Sequence, residues 1–296
     1  LVAPSTVNAL IENKKIIKAP GGEVIVSAQG YNELAAGVIK NSGSISANGG
    51  ANGSANSIAK VGGRILLEAS DLVVQTGSVT ATSENDNGGS VVINANKVDN
   101  SGIIDVSSTA VNFKAGNISI TGDDIALAAG TQLKAVGGAG GGNILVGGDW
   151  QGSGNLRQAV KLAFDEMATI DASAFSFGNG GKVVLWSNVL RADSLTNVQG
   201  SILARGGITG NGGNGGQVET SGHILIADTL RVNAGEGGTW LIDPYDISIE
   251  TNNSNNASAT GGNPNIIQST NSASVVKDTV ITGSLNSGNS VIIKTG

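Results

Sequence analysis

Eight times along the chain a pair of small residues ending in glycine runs straight into an extended stretch. The pairs end at Gly22, Gly63, Gly89, Gly142, Gly181, Gly216 and Gly238, with an Ala-Gly variant ending at Gly116. The first residue after each pair is polar: Glu23, Arg64, Ser90, Asn117, Asn143, Lys182, Gln217 and Thr239. The second and fourth residues are Val24 and Val26, Ile65 and Leu67, Val91 and Ile93, Ile118 and Ile120, Ile144 and Val146, Val183 and Leu185, Val218 and Thr220, Trp240 and Ile242. Successive side chains leave a strand on opposite sides, so this alternation predicts β-strands whose even positions face a core. The glycines are read as a turn entering each strand, through positive φ or bare backbone.

A second submodule, Gly-x-Ile/Val-x-Ala/Val, precedes many of the pairs: Gly43-Ile45-Ala47, Gly77-Val79-Ala81, Gly102-Ile104-Val106 and Gly200-Ile202-Ala204. The turns that lead into it are alike, NSG at 41–43, QTG at 75–77 and NSG again at 100–102. Each repeat therefore carries at least two short strands. Gly63, Gly89, Gly116 and Gly142 follow one another at 26, 27 and 26 residues. A fixed period of strands and turns predicts a β-solenoid, in which no single coil buries its own apolar face and stacking makes one continuous core. Leucine-rich repeats share the period, but their Leu-x-x-Leu-x-Leu pattern is absent.

Composition suits a narrow lumen: 39% of the 296 residues are hydrophobic, only 3% are aromatic, and 46 are glycine. Without cysteine there is no disulfide or thiol chemistry. A formal charge of −6 with no lysine-arginine cluster argues against a nucleic-acid partner. No stretch approaches the apolar run that a transmembrane helix needs. The chain enters mid-pattern at LVAPSTV and is expected to be a fragment of a longer protein.

The expected organisation is one continuous solenoid over 1–296, with irregular insertions near 151–168 and 251–274. Residues 1–20 read as a strand pair, and loops 48–61 and 82–88 as solvated. Residues 157–167 are the only place where a helix is plausible, yet Val160, Leu162 and Phe164 alternate and favour a hairpin outside the solenoid. A strand is expected at Val291 to Ile293. The third residue after each pair points outward, and six of these eight are aliphatic: Ile25, Leu66, Val92, Leu145, Val184 and Leu241, beside Ser119 and Glu219. So apolar a stripe should be covered, and Leu156, Val160, Leu162 and Phe164 of 152–167 are the internal candidates.

The strings GGKVVLW (180–186), ARGG (204–207), QVETSGH (217–223) and GTWLIDP (238–244), with GGDWQG (147–152), carry a family resemblance. In this order they resemble the exoproteins of bacterial two-partner secretion, of the filamentous-haemagglutinin and high-molecular-weight adhesin type. The resemblance implies an all-β fold, a right-handed single-stranded parallel β-helix with loop and extra-helical strand insertions. It also implies a secreted, cell-surface protein exported through an outer-membrane β-barrel transporter, acting as a stalk in attachment to a host or surface receptor, a glycan among the candidates. The family's secretion domain is expected to lie mostly upstream of this chain.

No catalytic, cofactor-binding or metal-ligating residue is assigned. His223 is the one histidine and reads as structural. Ser221, His223 and Asp243 have the residue types of a catalytic triad but no sign of a nucleophile turn or oxyanion hole. The acid pairs Asp123–Asp124 and Asp165–Glu166, with Arg157 and Lys161 nearby, represent the alternative function, a carbohydrate-active or glycan-binding β-helix, and read as solvated loop carboxylates. The calcium-binding nonapeptide is absent. Asn41 and Asn100 are expected to stack as a polar ladder. Sequons stand at Asn52, Asn117, Asn252 and Asn256. A third class, ice binding, fails because no Thr-x-Thr ranks recur.

Overall fold

The computed structural model describes residues 9–30, 36–50, 61–209, 212–251, 257–260, 266–269 and 273–295. The chain winds into a parallel β-helix whose coils contribute to three parallel sheets of nine, ten and eight strands. The eight strands that follow the glycine pairs, from Glu23–Ala28 to Thr239–Ile242, together with Ser290–Ile293 make the nine-stranded sheet. The second submodule makes the eight-stranded sheet, from Ile16–Lys18 to Arg231–Asn233. A third strand per coil, such as Leu72–Gln75 or Lys97–Asn100, runs into the QTG and NSG turns and builds the ten-stranded sheet. At the strand spacing of ~4.8 Å, nine strands stack to a rod of roughly 40 Å.

The expected register holds at every described copy. The residues from Val24 and Val26 through Trp240 and Ile242 line the lumen, none more than 9% exposed. Thr220 and Trp240 depart from the aliphatic pattern, and each explains the other: the Trp240 indole donates to Thr220 Oγ1 at 3.0 Å inside the core. A buried indole N–H without that acceptor would be costly.

Of the two expected uses of the glycine pairs, bare backbone prevails over positive φ. Of their sixteen positions only Gly21 and Gly237 have φ in the left-handed region. What they supply is room between coils. A Cβ on Gly89 would stand 2.0 Å from the carbonyl oxygen of Gly63, one on Gly116 1.7 Å from that of Gly89, and one on Gly142 1.9 Å from that of Gly116. The column continues through Gly181 and Gly216. Gly43, Gly77 and Gly102 form a second such column at the next corner. Each coil therefore rests on the bare backbone of the one before it.

The same corner explains why loop length varies freely. The last glycine N–H of a pair donates to the carbonyl of the residue just after the preceding strand, Gly89 to Ala81, Gly142 to Ala135 and Gly181 to Ala172, at 2.7–2.9 Å. This closes the neck of these loops, while at the last pair Gly238 donates to Gly235 within its own turn. Whatever lies between the two residues is extruded and leaves the coil undisturbed.

Lumen positions at the ends of the ten-stranded rungs carry a polar ladder that includes Asn41 but joins it to Asn13 and Gln75 and not, as was expected, to Asn100. Asn13 Nδ2 donates to Asn41 Oδ1 at 2.7 Å, and Asn41 Nδ2 to Gln75 Oε1 at 2.5 Å. The run stops there, since Gln75 Nε2 turns to the Ile103 carbonyl at 3.5 Å; Asn100, next in register, makes a separate bond to Thr131 Oγ1 at 3.1 Å. Asn13, Asn41, Gln75 and Asn100 are strand positions in mutual register, where turn positions were expected.

Two expectations are corrected. First, 152–167 is not a hairpin outside the solenoid, since Lys161–Phe164 is a rung of the ten-stranded sheet between Asp124–Leu127 and Leu195–Val198. Leu162 and Phe164 are lumen residues, each 1% exposed, and cannot cover the outer stripe. Second, the helix lies at Asp278–Asn286, where it packs beside Arg231–Asn233 with Val280 and Ser284 buried. Its β-branched and glycine residues give little helix propensity, so tertiary packing sustains it. Within the range 251–274, expected as an insertion, lies an antiparallel hairpin, Ala257–Thr260 with Ile266–Ser269. After it, Val275–Lys277 enters between Ile224–Ala227 and Ser248–Glu250, out of coil order. The strand expected at Val291 to Ile293 is Ser290–Ile293. Asn52, Asn252, Asn256, all of 1–8 and most of 48–61 lie outside the described residues.

Candidate functional site

The segment 147–160 leaves the rod between Asn143–Val146 and Lys161–Phe164 and lies as a strap on the outer face of the nine-stranded sheet. Its path needs Gly147, Gly152 and Gly154 at φ of 76°, 62° and 70°, and Gln151 also adopts φ of 52°. Such a conformation in a non-glycine residue is held by its surroundings. Trp150 packs with Leu145 onto Val184, Trp186 and Val189, a small apolar cluster outside the lumen. The Trp186 indole donates to Gln158 Oε1 at 3.2 Å, and Gln158 Nε2 donates to the Gly152 carbonyl at 3.1 Å. The return leg is clamped by Arg157, which donates to Asp123 Oδ1, the Ala95 carbonyl and Asn96 Oδ1 at 2.9–3.2 Å.

The outward stripe is therefore covered only in part. Val184, Glu219 and Leu241 are buried, whereas Leu66, Val92 and Leu145 are half-buried and Ile25 is 57% exposed. The covering aromatic is Trp150, which the sequence reading left unused.

Glu219 sits in this stripe between Val184 and Leu241 and has no exposed surface. Its Oε2 accepts from the Gln151 N–H at 2.8 Å and its Oε1 from the Ser221 hydroxyl at 3.1 Å. Burial disfavours the charged form and pushes its pKa up to about 7. The two hydrogen bonds work against that rise, while Asp243 and Asp149 reinforce it. Glu219 was noted only as an exception among aliphatics; a carboxylate at a position that is apolar in most copies was the one sign of it.

The triad residues do not assemble. Ser221 is buried and its hydroxyl is spent on Glu219. His223 Nδ1 bonds the Val189 carbonyl at 2.8 Å, and its ring stacks on Tyr245 at 4.5 Å between centroids. Of the acid pairs, Asp123 holds the Arg157 clamp, while Asp124 stands in register between Lys97 and Lys161. Asp165 Oδ1 accepts from the Met167 N–H at 2.8 Å to form a turn, and the Glu166 carbonyl accepts from Arg231. Neither pair sits in a cleft with the other. Among the described residues no group of three His, Cys, Asp or Glu side chains is placed to hold a metal, and no helix is long and apolar enough to cross a membrane. Asn117 is exposed and accepts from Asn143 Nδ2 at 2.8 Å.

No family model matches the chain, and no curated protein does. Among solved structures the chain is similar to the HMW1 secretion domain from Haemophilus influenzae, with a TM-score of 0.51 and 24% sequence identity. The alignment covers 79% of this chain and 66% of that one, so the chain spans just under two thirds of the structure it matches. That match is to a secretion domain, the part expected to lie upstream. Three stacked parallel sheets, glycine columns at the corners and an aliphatic lumen make this chain a parallel β-helix, and its likeness to that domain is one of fold.

Proposed function

We propose that the chain is a segment of a secreted bacterial exoprotein of the two-partner secretion type, a rigid rod that serves attachment at the cell surface. The observation that carries this reading is a conjunction. The strings GGKVVLW, QVETSGH and GTWLIDP fall on the strap-bearing outer face and adjoining rungs, in a chain whose fold is similar to the HMW1 secretion domain. An outer-membrane β-barrel transporter is the partner that this reading requires, and a surface receptor is the other. The rod is non-enzymatic in this reading, with its acids used as clamps and turn residues.

The test follows the native polypeptide with an antibody raised against this chain. It should be found outside the cell, and only when the transporter encoded with it is intact. Recovery inside the cell under both conditions would overturn the reading. Turnover of an acidic polysaccharide that is lost on Asp123→Asn or Asp165→Asn would overturn its non-enzymatic part.

A further inference from the structure

Consecutive coils bring Asn143, Lys182, Gln217 and Thr239 side by side on the outer face, each the first residue after its glycine pair. Facing them run the loop residues Asn179 and Asn214, tied together where the Asn214 N–H donates to Asn179 Oδ1 at 2.9 Å. Between the two rows lies an open groove of about 430 Å³ floored by glycine backbone. Nothing apolar larger than glycine lines it, and Lys182 is its one charged side chain. Lys182 makes no ion pair among the described residues; its ammonium lies 5.9 Å from the Trp150 ring centre, at the edge of the strap.

The chemistry of this lining narrows what can lie there. A lipid or apolar small molecule finds no wall to bury against. A nucleic acid needs several cations along its path, and here there is one. A peptide adding as a strand needs free backbone groups, but the N–H groups of Lys182, Gln217 and Thr239 already donate to Gly142, Gly181 and Gly216 at 2.9–3.0 Å. What remains is a hydroxyl-rich ligand. A side-chain amide donates and accepts at one place, which suits neighbouring sugar hydroxyls. The four side chains repeat at the ~4.8 Å rung spacing, so their row runs about 14 Å along the rod. Asn143 gives its amide N–H to Asn117, leaving its carbonyl oxygen to accept from a ligand hydroxyl.

We infer that this groove binds an acidic oligosaccharide of the uronate class, laid along the rod axis. Lys182 pairs with a carboxylate, while Gln217, Thr239 and Asn143 bond ring hydroxyls. The inference deepens the attachment reading by giving it a ligand class, but it stands on the groove and does not require export.

The purified chain is titrated by calorimetry with an oligogalacturonate, with a neutral cello-oligosaccharide of equal length, and with acetate as the bare carboxylate. The oligogalacturonate should bind, the neutral sugar about tenfold or more weakly, a difference of ~1.4 kcal/mol, and acetate not at all. Lys182→Gln should bring the acidic sugar down to the level of the neutral one, and Gln217→Ala should weaken both. Lys40→Gln, on the exposed face of the ten-stranded sheet, should change neither. Circular dichroism confirms the fold of each variant. Absence of oligogalacturonate binding, indifference to Lys182→Gln, or an equal loss in Lys40→Gln overturns the site. Failure of the export reading shows up separately, in the location of the native polypeptide, which Lys182→Gln leaves unchanged.

Discussion

Replacing Glu219 by Gln isolates the most unusual electrostatic feature of the rod. Both hydrogen bonds survive, because the Gln carbonyl accepts from the Gln151 N–H while its amide donates to the Ser221 hydroxyl oxygen. Only the charge is lost. Burial raises the Glu219 pKa from an ordinary 4.5 to about 7, so over this interval the folded chain holds a proton that the unfolded chain has released. The stability tied to that proton is fully present below pH 4.5 and is lost as pH rises through 7. At 1.36 kcal/mol per pKa unit, moving from pH 5 to pH 8 costs the parent about 2.5 kcal/mol that the variant does not lose. Urea unfolding at the two pH values, followed by tryptophan fluorescence, measures this; Trp150 and Trp186 lie in the strap region itself. Asp228, also raised by burial, titrates in parent and variant alike and drops out of the comparison. Equal pH dependence in the two proteins would show that Glu219 is solvated and the strap not closed over it.

Gly116→Ala should destabilise by about 1–3 kcal/mol or more, as overpacking does, because its Cβ would meet the Gly89 carbonyl oxygen of the neighbouring coil; a thermal midpoint equal to the parent's would contradict the stacking. Gln75→Leu should cost about 1–3 kcal/mol by leaving the buried Asn41 amide unpaired, and adding Asn41→Leu should recover part of the loss, as a double-mutant cycle in denaturant would read. Ile93→Asp places an unpaired charge in the lumen, and retention of the parent's heat stability would refute the assigned register. Phe164→Ala should open a core cavity at about 3–5 kcal/mol, with loss of stability in place of the self-association that an outer position would give.

How much of this was legible follows from what repeats. A lumen position recurs in every coil, so eight copies of the same alternation fix Val91 and Ile93 inward without any knowledge of their neighbours. The glycine pairs are equally visible, though their purpose is not: sequence displays a residue lacking Cβ, and only the stacking reveals that the carbonyl of the coil before occupies the place of the Cβ. Contacts made once leave no such trace. Trp150, Gln158 and Glu219 meet across the strap and the outer face, and Arg157 reaches Asp123 although Asp165 is far nearer in sequence. Leu162 and Phe164 misled for a related reason. Their alternation correctly signals a strand, but an interrupted period hides which sheet the strand joins, and an apolar pair inside the lumen reads the same as one that covers it. The outer stripe shows the difference in physical terms. Identical aliphatic positions end up 57% exposed at Ile25 and fully buried at Val184, because covering depends on a strap that occurs in one coil only. A core built by repetition is written in the period, whereas a surface built by single excursions is written in the geometry alone.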